Sequence, residues 1–239
     1  MDVLGDLVDP DRGGEALWIH RPGSRSRSWS GRQFCIDAWK AGNLFRHYGV
    51  HEDATVSVAD ATTDSDQIPS PQALLGLFGA WVLGAAVRVD PGEIPPGRVF
   101  LAPTEAVDRF DLRPETTALG YGAEPTDPTV VHFEEQRWSE NPVKFPAEVS
   151  ADAAALHTDA ESFSHDQLLA AGRQVVDDYD LDSVERIALA APLADPGAVV
   201  AGVIAPLLSG TTITLGGEAP LTVADRAGEN IVRPSAVRP

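Results

Sequence analysis

The sequence is poor in the residues that cross-link chains and bind soft metals. Its 239 residues include one cysteine and one methionine, and Lys40 and Lys144 are the only lysines. Because a disulfide needs two thiols, no intrachain disulfide can form, and a cysteine-rich metal site is excluded as well. Cys35 has no evident cation close to it in sequence that would favour the thiolate, so we expect an inert thiol on a helix.

The amino terminus and the two longest uncharged stretches do not resemble targeting or membrane segments. Residues 1–11 carry four acidic residues and no apolar core of the signal-peptide type, so secretion is not indicated. Residues 68–87 and 196–217 lack charge over the length that a bilayer requires, but prolines and glycines interrupt both. Each fits a buried helix followed by a buried strand. We therefore expect a cytoplasmic protein with no membrane partner.

The charge of the chain is strongly one-sided. Asp and Glu number 36 against 18 Lys and Arg, which gives a formal net charge of −18. Such a surface repels a phosphate backbone, so we expect no nucleic-acid partner. The excess instead indicates a halophilic protein from a salt-rich cytoplasm, as in a haloarchaeon, because a screening length of roughly 3 Å in molar salt suppresses self-repulsion.

The same plan of short motifs occurs twice along the chain. The first copy opens with residues 16–20 and a helix capped by Ser30, and the second opens with residues 155–157 and a helix capped by Ser164. Each copy continues as a short strand, an apolar helix and a second strand. These segments are residues 56–59, 71–83 and 86–89 in the first copy, and residues 186–191, 196–209 and 211–215 in the second.

The repeat predicts an α/β fold with two related layered lobes and mainly parallel sheets. Two strands separated by a helix of this length are usually parallel and joined by a right-handed crossover. We assign residues 1–141 to the first lobe and 142–218 to a partial second lobe, and we expect residues 219–239 to be a loosely ordered tail. Further strand candidates, expected on the first sheet, are residues 98–102, 117–121 and 129–133.

The order of these motifs resembles the amino-terminal part of the AMP-dependent acyl-CoA synthetases and related adenylate-forming ligases. In the first copy the resemblance lies in LLGLFGAW at residues 74–81 and GAAVRVDP at residues 84–91. In the second it lies in SHDQLL at residues 164–169 and LGGE at residues 215–218. The resemblance spans residues 15–218 and implies the fold of that domain and ATP-dependent adenylation of a carboxylate.

The segment that would hold the ATP phosphates departs from that family's pattern. There a Ser-, Thr- and Gly-rich loop ending in Lys follows the strand that opens the second copy, whereas here residues 158–163 contain no glycine, no lysine and two carboxylates. A carboxylate about 4 Å from a phosphate costs on the order of 1 kcal/mol in water and more in a dry cleft. Vestigial phosphate contacts are expected only from Thr158, Ser162 and Ser164.

Other parts of the family's machinery are not recognised in the sequence either. The resemblance implies an adenine-binding Tyr-Gly-x-Thr-Glu segment, a ribose-binding Asp and a domain with a catalytic Lys beyond residue 217, and none of these is found. Neither Lys40 nor Lys144 occupies a comparable place. We expect no catalytic residue in this chain.

Two groups of side chains resemble metal sites but depart from the patterns that metals require. In the acidic loop, Ser183 stands where a helix-flanked calcium loop needs glycine, and Leu189 stands where it needs a bidentate Glu. His47 and His51 have the spacing of a zinc pair, but Gly49 intervenes and is expected to end the helix. We expect no metal. The candidate ligands in the acidic loop are Asp178, Asp180, Asp182 and Glu185.

Two further groups could carry a nucleophile or an anion. Ser164 beside His165 fits helix capping better than a nucleophile and its base, because no Gly-x-Ser-x-Gly elbow occurs. Arg21, Arg25 and Arg27 in the first hairpin could hold an anion or an acidic partner, but a solvated turn is the simpler interpretation.

The sequence therefore favours a noncatalytic relative of the adenylate-forming ligases, either a pseudoenzyme or an accessory module. Its expected partners are a protein, or a small acyl or nucleotide-like ligand in the cleft between the lobes. The alternative is one part of a split acyl-CoA synthetase that another chain completes. No cofactor is expected in the first case, and ATP or AMP with Mg²⁺ only in the second.

The halophilic interpretation predicts a salt-dependent stability. We expect the melting temperature to rise between dilute buffer and molar KCl, because the salt screens repulsion among the excess carboxylates. Thermal melts followed by circular dichroism at both salt concentrations test this. Coincident melts would contradict the halophilic interpretation.

Overall fold

The fold consists of two mainly parallel β-sheets and their flanking helices. The computed structural model describes residues 1–11, 13–20, 26–60 and 68–239. Its two sheets have six and seven strands, joined largely by helical crossovers. The predicted α/β class with mainly parallel sheets is confirmed.

The boundaries of the elements follow the predicted repeat closely. The strands are β1 (Glu15–Ile19), β2 (Arg27–Ser30), β3 (Thr55–Val58), β4 (Ala86–Val89), β5 (Val99–Pro103), β6 (Thr117–Tyr121), β7 (Val131–His132), β8 (Ala154–His157), β9 (Ser162–Ser164), β10 (Arg186–Leu189), β11 (Thr212–Leu215), β12 (Leu221–Val223) and β13 (Ile231–Val232). The helices are α1 (Gly31–His47), α2 (Pro71–Trp81), α3 (Phe133–Ser139), α4 (His165–Asp178), α5 (Pro196–Val199) and α6 (Ala205–Ser209), with a π-helical turn at Val200–Ile204.

The helix after each hairpin begins at the predicted serine. The Ser30 hydroxyl accepts a hydrogen bond from the Gln33 amide at 3.2 Å. The Ser164 hydroxyl accepts one from the Gln167 amide at 3.2 Å, while the Gln167 side chain accepts one from the Ser164 amide at 2.9 Å. Each bond satisfies an amide that the first helical turn leaves without an intrahelical partner, so both caps are confirmed.

The two uncharged stretches form buried crossovers. Residues 68–87 include α2 and the start of β4, and residues 196–217 include α5, α6 and β11. This is the helix-to-strand order that the sequence predicts. Within the described ranges, no helix combines the length and the apolar character that crossing a bilayer requires.

Each sheet is completed by the hairpin of the other repeat. The strand orders are β7-β6-β5-β3-β4-β8-β9 and β13-β12-β10-β11-β1-β2. Thus β8 of the second copy pairs in parallel with β4 of the first, and β1 of the first copy pairs in parallel with β11 of the second. The predicted ranges 1–141 and 142–218 divide the chain between the two copies of the repeat. Each sheet, by contrast, contains the edge hairpin of the other copy. The three strands between the copies lie on the seven-stranded sheet, where we expected them.

Equivalent glycines let the two crossover helices lie close to their sheets. A Cβ atom at Gly76 would lie 2.5 Å from Leu101 Cδ2, and one at Gly202 would lie 2.4 Å from Leu189 Cδ1. Both distances are far shorter than a carbon–carbon contact of about 3.5–4.0 Å. The repeat in sequence is thus a repeat in packing, and side chains of both sheets form one continuous core.

The carboxyl-terminal segment is more ordered than its composition suggests. We expected a loose tail from residue 219, but β12 pairs in parallel with β10, and β13 pairs in parallel with β12. The segment also packs against α5, where a Cβ atom at Gly197 would lie only 2.1 Å from the Pro234 carbonyl oxygen. The expectation fails because Leu221, Val223 and Val232 are buried among otherwise polar neighbours.

A buried histidine holds the amino-terminal turn. His165 is fully buried at the first position of α4, and its Nδ1 accepts a hydrogen bond from the Leu4 amide at 3.2 Å. Leu4 and Leu7 of that turn are buried as well. Burial lowers the pKa of His165 from 6.5 to about 4, and the carboxylate of Asp6 only partly opposes this. The folded protein therefore keeps His165 neutral.

Acid should weaken the fold through His165. Between pH 6.5 and about 4 the unfolded chain binds a proton that the folded chain does not, so the free energy of unfolding falls as the pH falls. We expect His165 to contribute a loss of about 2 kcal/mol between pH 7 and pH 5, measured as the difference in pH response between the wild type and His165→Asn, whose side-chain oxygen can still accept from Leu4. Urea unfolding at both pH values measures it.

The matched control is His51→Asn, which removes an exposed histidine from a turn. It should retain the wild-type difference between the two pH values. An equal acid sensitivity in the wild type and in His165→Asn would contradict the role given to His165.

Candidate functional site

Buried polar side chains gather at the carboxyl edge of the seven-stranded sheet. Asp60 lies two residues after β3, Asp90 follows β4 directly, and Tyr121 ends β6. In open parallel sheets, ligands bind at the carboxyl ends of the strands, because loops diverge there and leave a crevice. This edge is therefore the expected position of a ligand site.

Hydrogen bonds join these residues into one cluster. Asp60 Oδ1 accepts from the Tyr121 hydroxyl at 3.0 Å and from the Ser70 amide at 3.0 Å, and Asp60 Oδ2 accepts from the same amide at 3.1 Å. Asp90 Oδ1 accepts from the Asp60 amide at 3.3 Å. Ser70 caps α2 by accepting from the Gln72 amide at 3.2 Å. The cluster thus ties the ends of β3, β4 and β6 to the start of α2.

The cluster raises the pKa of both of its carboxyl groups. Burial raises the pKa of Asp60 from 3.8 to about 7, with a smaller contribution from the neighbouring Asp90 charge and opposition from the hydrogen bonds of Ser70 and Tyr121. Burial likewise raises the pKa of Asp90, and burial together with Asp60 raises that of Tyr121. Asp60 can therefore hold or release a proton near neutral pH, which is the property required of a general acid or base.

The turn after β8 is closed on itself. The Thr158 hydroxyl accepts hydrogen bonds from the Ala160 amide at 3.3 Å and from the Glu161 amide at 3.0 Å. The Thr158 amide in turn donates to the Glu161 carbonyl oxygen at 2.9 Å. A phosphate-binding loop works by pointing such amides at the anion. Here three of the turn's amides are used inside the turn.

The cation beside this turn already has a carboxylate partner. Arg88 of β4, whose side chain is 15% exposed, forms an ion pair with Asp159, which is 98% exposed at the tip of the turn. His157 is paired with Arg88 in the sheet, and its Nδ1 is hydrogen bonded to the Ser162 hydroxyl at 2.8 Å. Burial, and then the charge of Arg88, lower the pKa of His157.

The predicted vestigial residues are thus brought into one hairpin but are engaged internally. Thr158 closes the turn, Ser162 bonds to His157, and Ser164 caps α4. The first hairpin has an equivalent bond, with His20 Nδ1 lying 2.9 Å from the Ser26 hydroxyl. A bond that recurs in both repeats indicates a role in holding the hairpin together.

The other groups singled out in the sequence form no site in the described part of the chain. No three His, Cys, Asp or Glu side chains come together there as metal ligands. His47 Nδ1 instead lies 2.8 Å from Glu140 Oε1. The buried Cys35 thiol donates to the Asp9 carbonyl oxygen at 2.9 Å. Arg21 and Arg25 lie outside the described residues.

Two open depressions are present on the described surface. One of about 390 Å³ lies at the amino edge of the seven-stranded sheet, and His51, Arg98 and Arg113 are among its lining residues. The other, of about 380 Å³, is lined by the hairpin residues Glu161 and Phe163, by the start of α5 and by residues 234–239. The second lies between the exchanged hairpin and α5 of the same copy, and Glu161 and Asp195 give it two carboxylates.

One local pattern in the sequence indicates part of the Asp60 cluster, although it is not a recognised motif. A short buried strand ends in aspartate in both VSVAD and VRVD, at Asp60 and Asp90. Parallel strands end at a common edge, so two such aspartates should meet there. Tyr121 follows Asp60 by 61 residues, so no local pattern predicts that its side chain joins the cluster.

Comparison with solved structures identifies the fold. The anthranilate CoA ligase AuaEII, in complex with anthranoyl-AMP, superposes with a TM-score of 0.70 at 16% identity over 91% of this chain and 45% of its own. The fatty acyl-adenylate ligase of L. pneumophila gives 0.67 at 10% identity, over 90% and 39% of the two chains. The N-terminal domain of FACL13 from Mycobacterium tuberculosis gives 0.67 at 15% identity, over 90% and 57%.

These similarities concern the fold. The chain has the architecture of the N-terminal domain of adenylate-forming ligases and spans about half the length of the first ligase compared. No protein-family model matches the sequence, and no curated protein does.

The Asp60 cluster should give the fold a pH dependence of opposite sign to that of His165. The folded carboxyl keeps its proton between pH 3.8 and about 7 while the unfolded one loses it, so its contribution to stability is lost as the pH rises through this range. We expect Asp60→Asn, which retains an acceptor oxygen, to lose less stability than the wild type between about pH 5 and about pH 8. Urea unfolding measures both slopes.

The control is Asp152→Asn, which changes an exposed aspartate and should leave the wild-type slope unaltered. If Asp60→Asn also retains that slope, Asp60 does not carry a raised pKa.

Proposed function

We propose that this chain is a noncatalytic relative of the adenylate-forming ligases that serves as an accessory or interaction module. Its proposed setting is a salt-rich cytoplasm, which the net charge of −18 supports. The observation that carries the proposal is the closed turn after β8. The fold supplies the scaffold, but the segment expected to hold nucleotide phosphates is occupied by its own side chains.

A triphosphate needs several donors at this position. Phosphoryl and adenylyl transfer depend on backbone amides and cations that are aimed in advance at the charged oxygens. The Ala160 and Glu161 amides would have to leave the Thr158 hydroxyl, and Arg88 would have to leave Asp159. The two turn carboxylates would also face the incoming phosphates. Each change opposes nucleotide binding.

Both lysines of the chain are committed elsewhere. Lys40 Nζ donates to the Trp138 carbonyl oxygen at 2.7 Å. Lys144 Nζ donates to the Gly5 carbonyl oxygen at 3.3 Å and forms an ion pair with Asp6 at the same distance. These contacts hold the segment before the second repeat against α1 and the amino-terminal turn. They support a structural role for both lysines.

The alternative is one part of a split acyl-CoA synthetase. It is favoured by the extent of the structural match, which includes nine-tenths of this chain but less than half of the anthranilate ligase. A second polypeptide would then supply the groups that hold ATP or AMP and Mg²⁺, and the Asp60 cluster would lie beside the completed cleft.

Nucleotide titration separates these proposals from a complete enzyme. We expect no saturable binding of ATP or AMP by calorimetry in molar KCl, with or without Mg²⁺, because the amides of the turn are already bonded. We expect the same of an Asp159→Asn, Glu161→Gln double variant, since Thr158 still closes its turn. Submillimolar Mg²⁺-dependent binding to the wild type would overturn the noncatalytic proposal, and binding to the double variant alone would show that charge, not closure, excludes the nucleotide.

Carboxylate-dependent ATP–pyrophosphate exchange distinguishes the two candidates. The chain is assayed alone and mixed with cell extract, with extract alone as the control. Exchange that appears only in the mixture favours the split synthetase. A stable complex without exchange favours the interaction module.

A further inference from the structure

Three of the five exposed large hydrophobic side chains in the described part of the chain lie within one short segment. Trp138 is 74% exposed, Val143 58% and Phe145 36%. The segment begins in the last turn of α3 and continues beyond it along α1. Exposed hydrophobic residues scattered singly are ordinary, whereas three within one short segment indicate an interaction surface. We call these three side chains, together with Lys40 and Arg46 of α1, the Trp138 patch.

Helix α1 fixes the backbone of this segment. Lys40 Nζ donates to the Trp138 carbonyl oxygen at 2.7 Å, and Asn43 Nδ2 donates to the carbonyl oxygens of Asn141 at 2.8 Å and Val143 at 2.9 Å. Between these contacts along the segment, Glu140 Oε1 lies 2.8 Å from His47 Nδ1 of α1. The exposed side chains are therefore presented on an ordered frame, which lowers the entropy lost when a partner binds.

The two cations of the patch lie over its aromatic rings. Lys40 Nζ is 5.2 Å from the centre of the Trp138 ring, and Arg46 Cζ is 4.5 Å from the centre of the Phe145 ring. Among the described residues, neither cation has a carboxylate within ion-pair distance, whereas the nearby Glu140 and Asp6 are paired with His47 and Lys144. The patch thus combines aromatic anchors with positive charge that no carboxylate of the described residues neutralises, in a chain of net charge −18.

We propose that the Trp138 patch is the docking surface for a narrow acidic segment of a partner protein. Apolar side chains of that segment would cover Trp138, Val143 and Phe145, and its carboxylates would reach Lys40 and Arg46. Trp, Arg and other aromatic residues dominate the energetic centres of protein interfaces. The proposal rests on the proposed function, because it names the chemistry of the partner that an interaction module requires.

Charge and shape favour this occupant over two others. A second copy docked symmetrically would bring Lys40 and Arg46 against the same cations, which like-charge repulsion opposes. A flat anionic membrane would bring much of the acidic surface close to lipid phosphates, whereas a peptide segment contacts the patch alone. In the salt-rich setting proposed above, a screening length of roughly 3 Å keeps the rest of the protein's charge from dominating such a local contact.

A defined peptide tests the proposal. The probe is a fluorescently labelled peptide in which Glu alternates with Leu and Phe, and its partner peptide has Gln at every Glu. Binding is measured by anisotropy, at the lowest salt in which circular dichroism shows a folded protein. We expect the Glu peptide to bind at least about tenfold more tightly than the Gln peptide, and Trp138→Ala or a Lys40→Gln, Arg46→Gln double variant to weaken it by about tenfold or more.

Control variants and competing surfaces complete the experiment. Ile94→Ala removes another exposed apolar side chain, outside the segment, and Arg32→Gln removes an exposed cation at the start of α1; both should bind like the wild type. The proposal is overturned if the two peptides bind equally or if the patch variants bind like the wild type. It is also overturned if Trp138 instead supports binding to anionic vesicles, or self-association in sedimentation. None of these outcomes alters the nucleotide titration, so failure here and failure of the proposed function are distinguishable.

Discussion

The parallel pairing of each edge hairpin with the sheet of the other repeat is the constraint on which this structure depends. Leu17 of β1 pairs with Ile213 of β11, and Leu156 of β8 pairs with Val87 of β4. Neither sheet is complete without backbone from both repeats. The two copies also share one core, and the Trp81 indole of α2 in the first copy donates a hydrogen bond to the Ala155 carbonyl oxygen of β8 in the second at 2.8 Å.

The position of the exchanged hairpins at a sheet edge also gives them a structural role. Each has a histidine bonded to a serine across it, at His20 and Ser26 and at His157 and Ser162. In the second hairpin the turn that follows is short and bonded internally, and Asp159 neutralises Arg88. A turn built in this way stabilises a sheet edge. The ionisable chemistry of the molecule lies instead at the ends of β3, β4 and β6, where Asp60 is buried beside Tyr121.

Local patterns in the sequence were enough for most elements but not for their assembly. Ser30 and Ser164 marked helix starts, and the segments around Gly76 and Gly202 predicted the crossovers, because capping and apolar periodicity are short-range properties. Which sheet a hairpin joins is decided by pairing between distant strands, from Val87 to Leu156 for one hairpin and from Leu17 to Ile213 for the other, and no local signal encodes it. The strands of residues 219–239 are not predictable from their polar composition, because three of their buried apolar residues form strands only once β10 is present. The burial of Asp60 likewise arises from the packing of distant strands, so the sequence around it does not predict its raised pKa.

The hairpin exchange has a consequence for how the chain is made. During synthesis on the ribosome, β1 emerges long before β11, which lies close to two hundred residues later in the chain, as the hydrogen bond from the Thr212 hydroxyl to the Glu15 carbonyl oxygen illustrates. The edge of β1 that pairs with β11 must therefore stay exposed and unpaired until β11 has left the exit tunnel. The high negative charge of the chain opposes association between nascent chains during this interval.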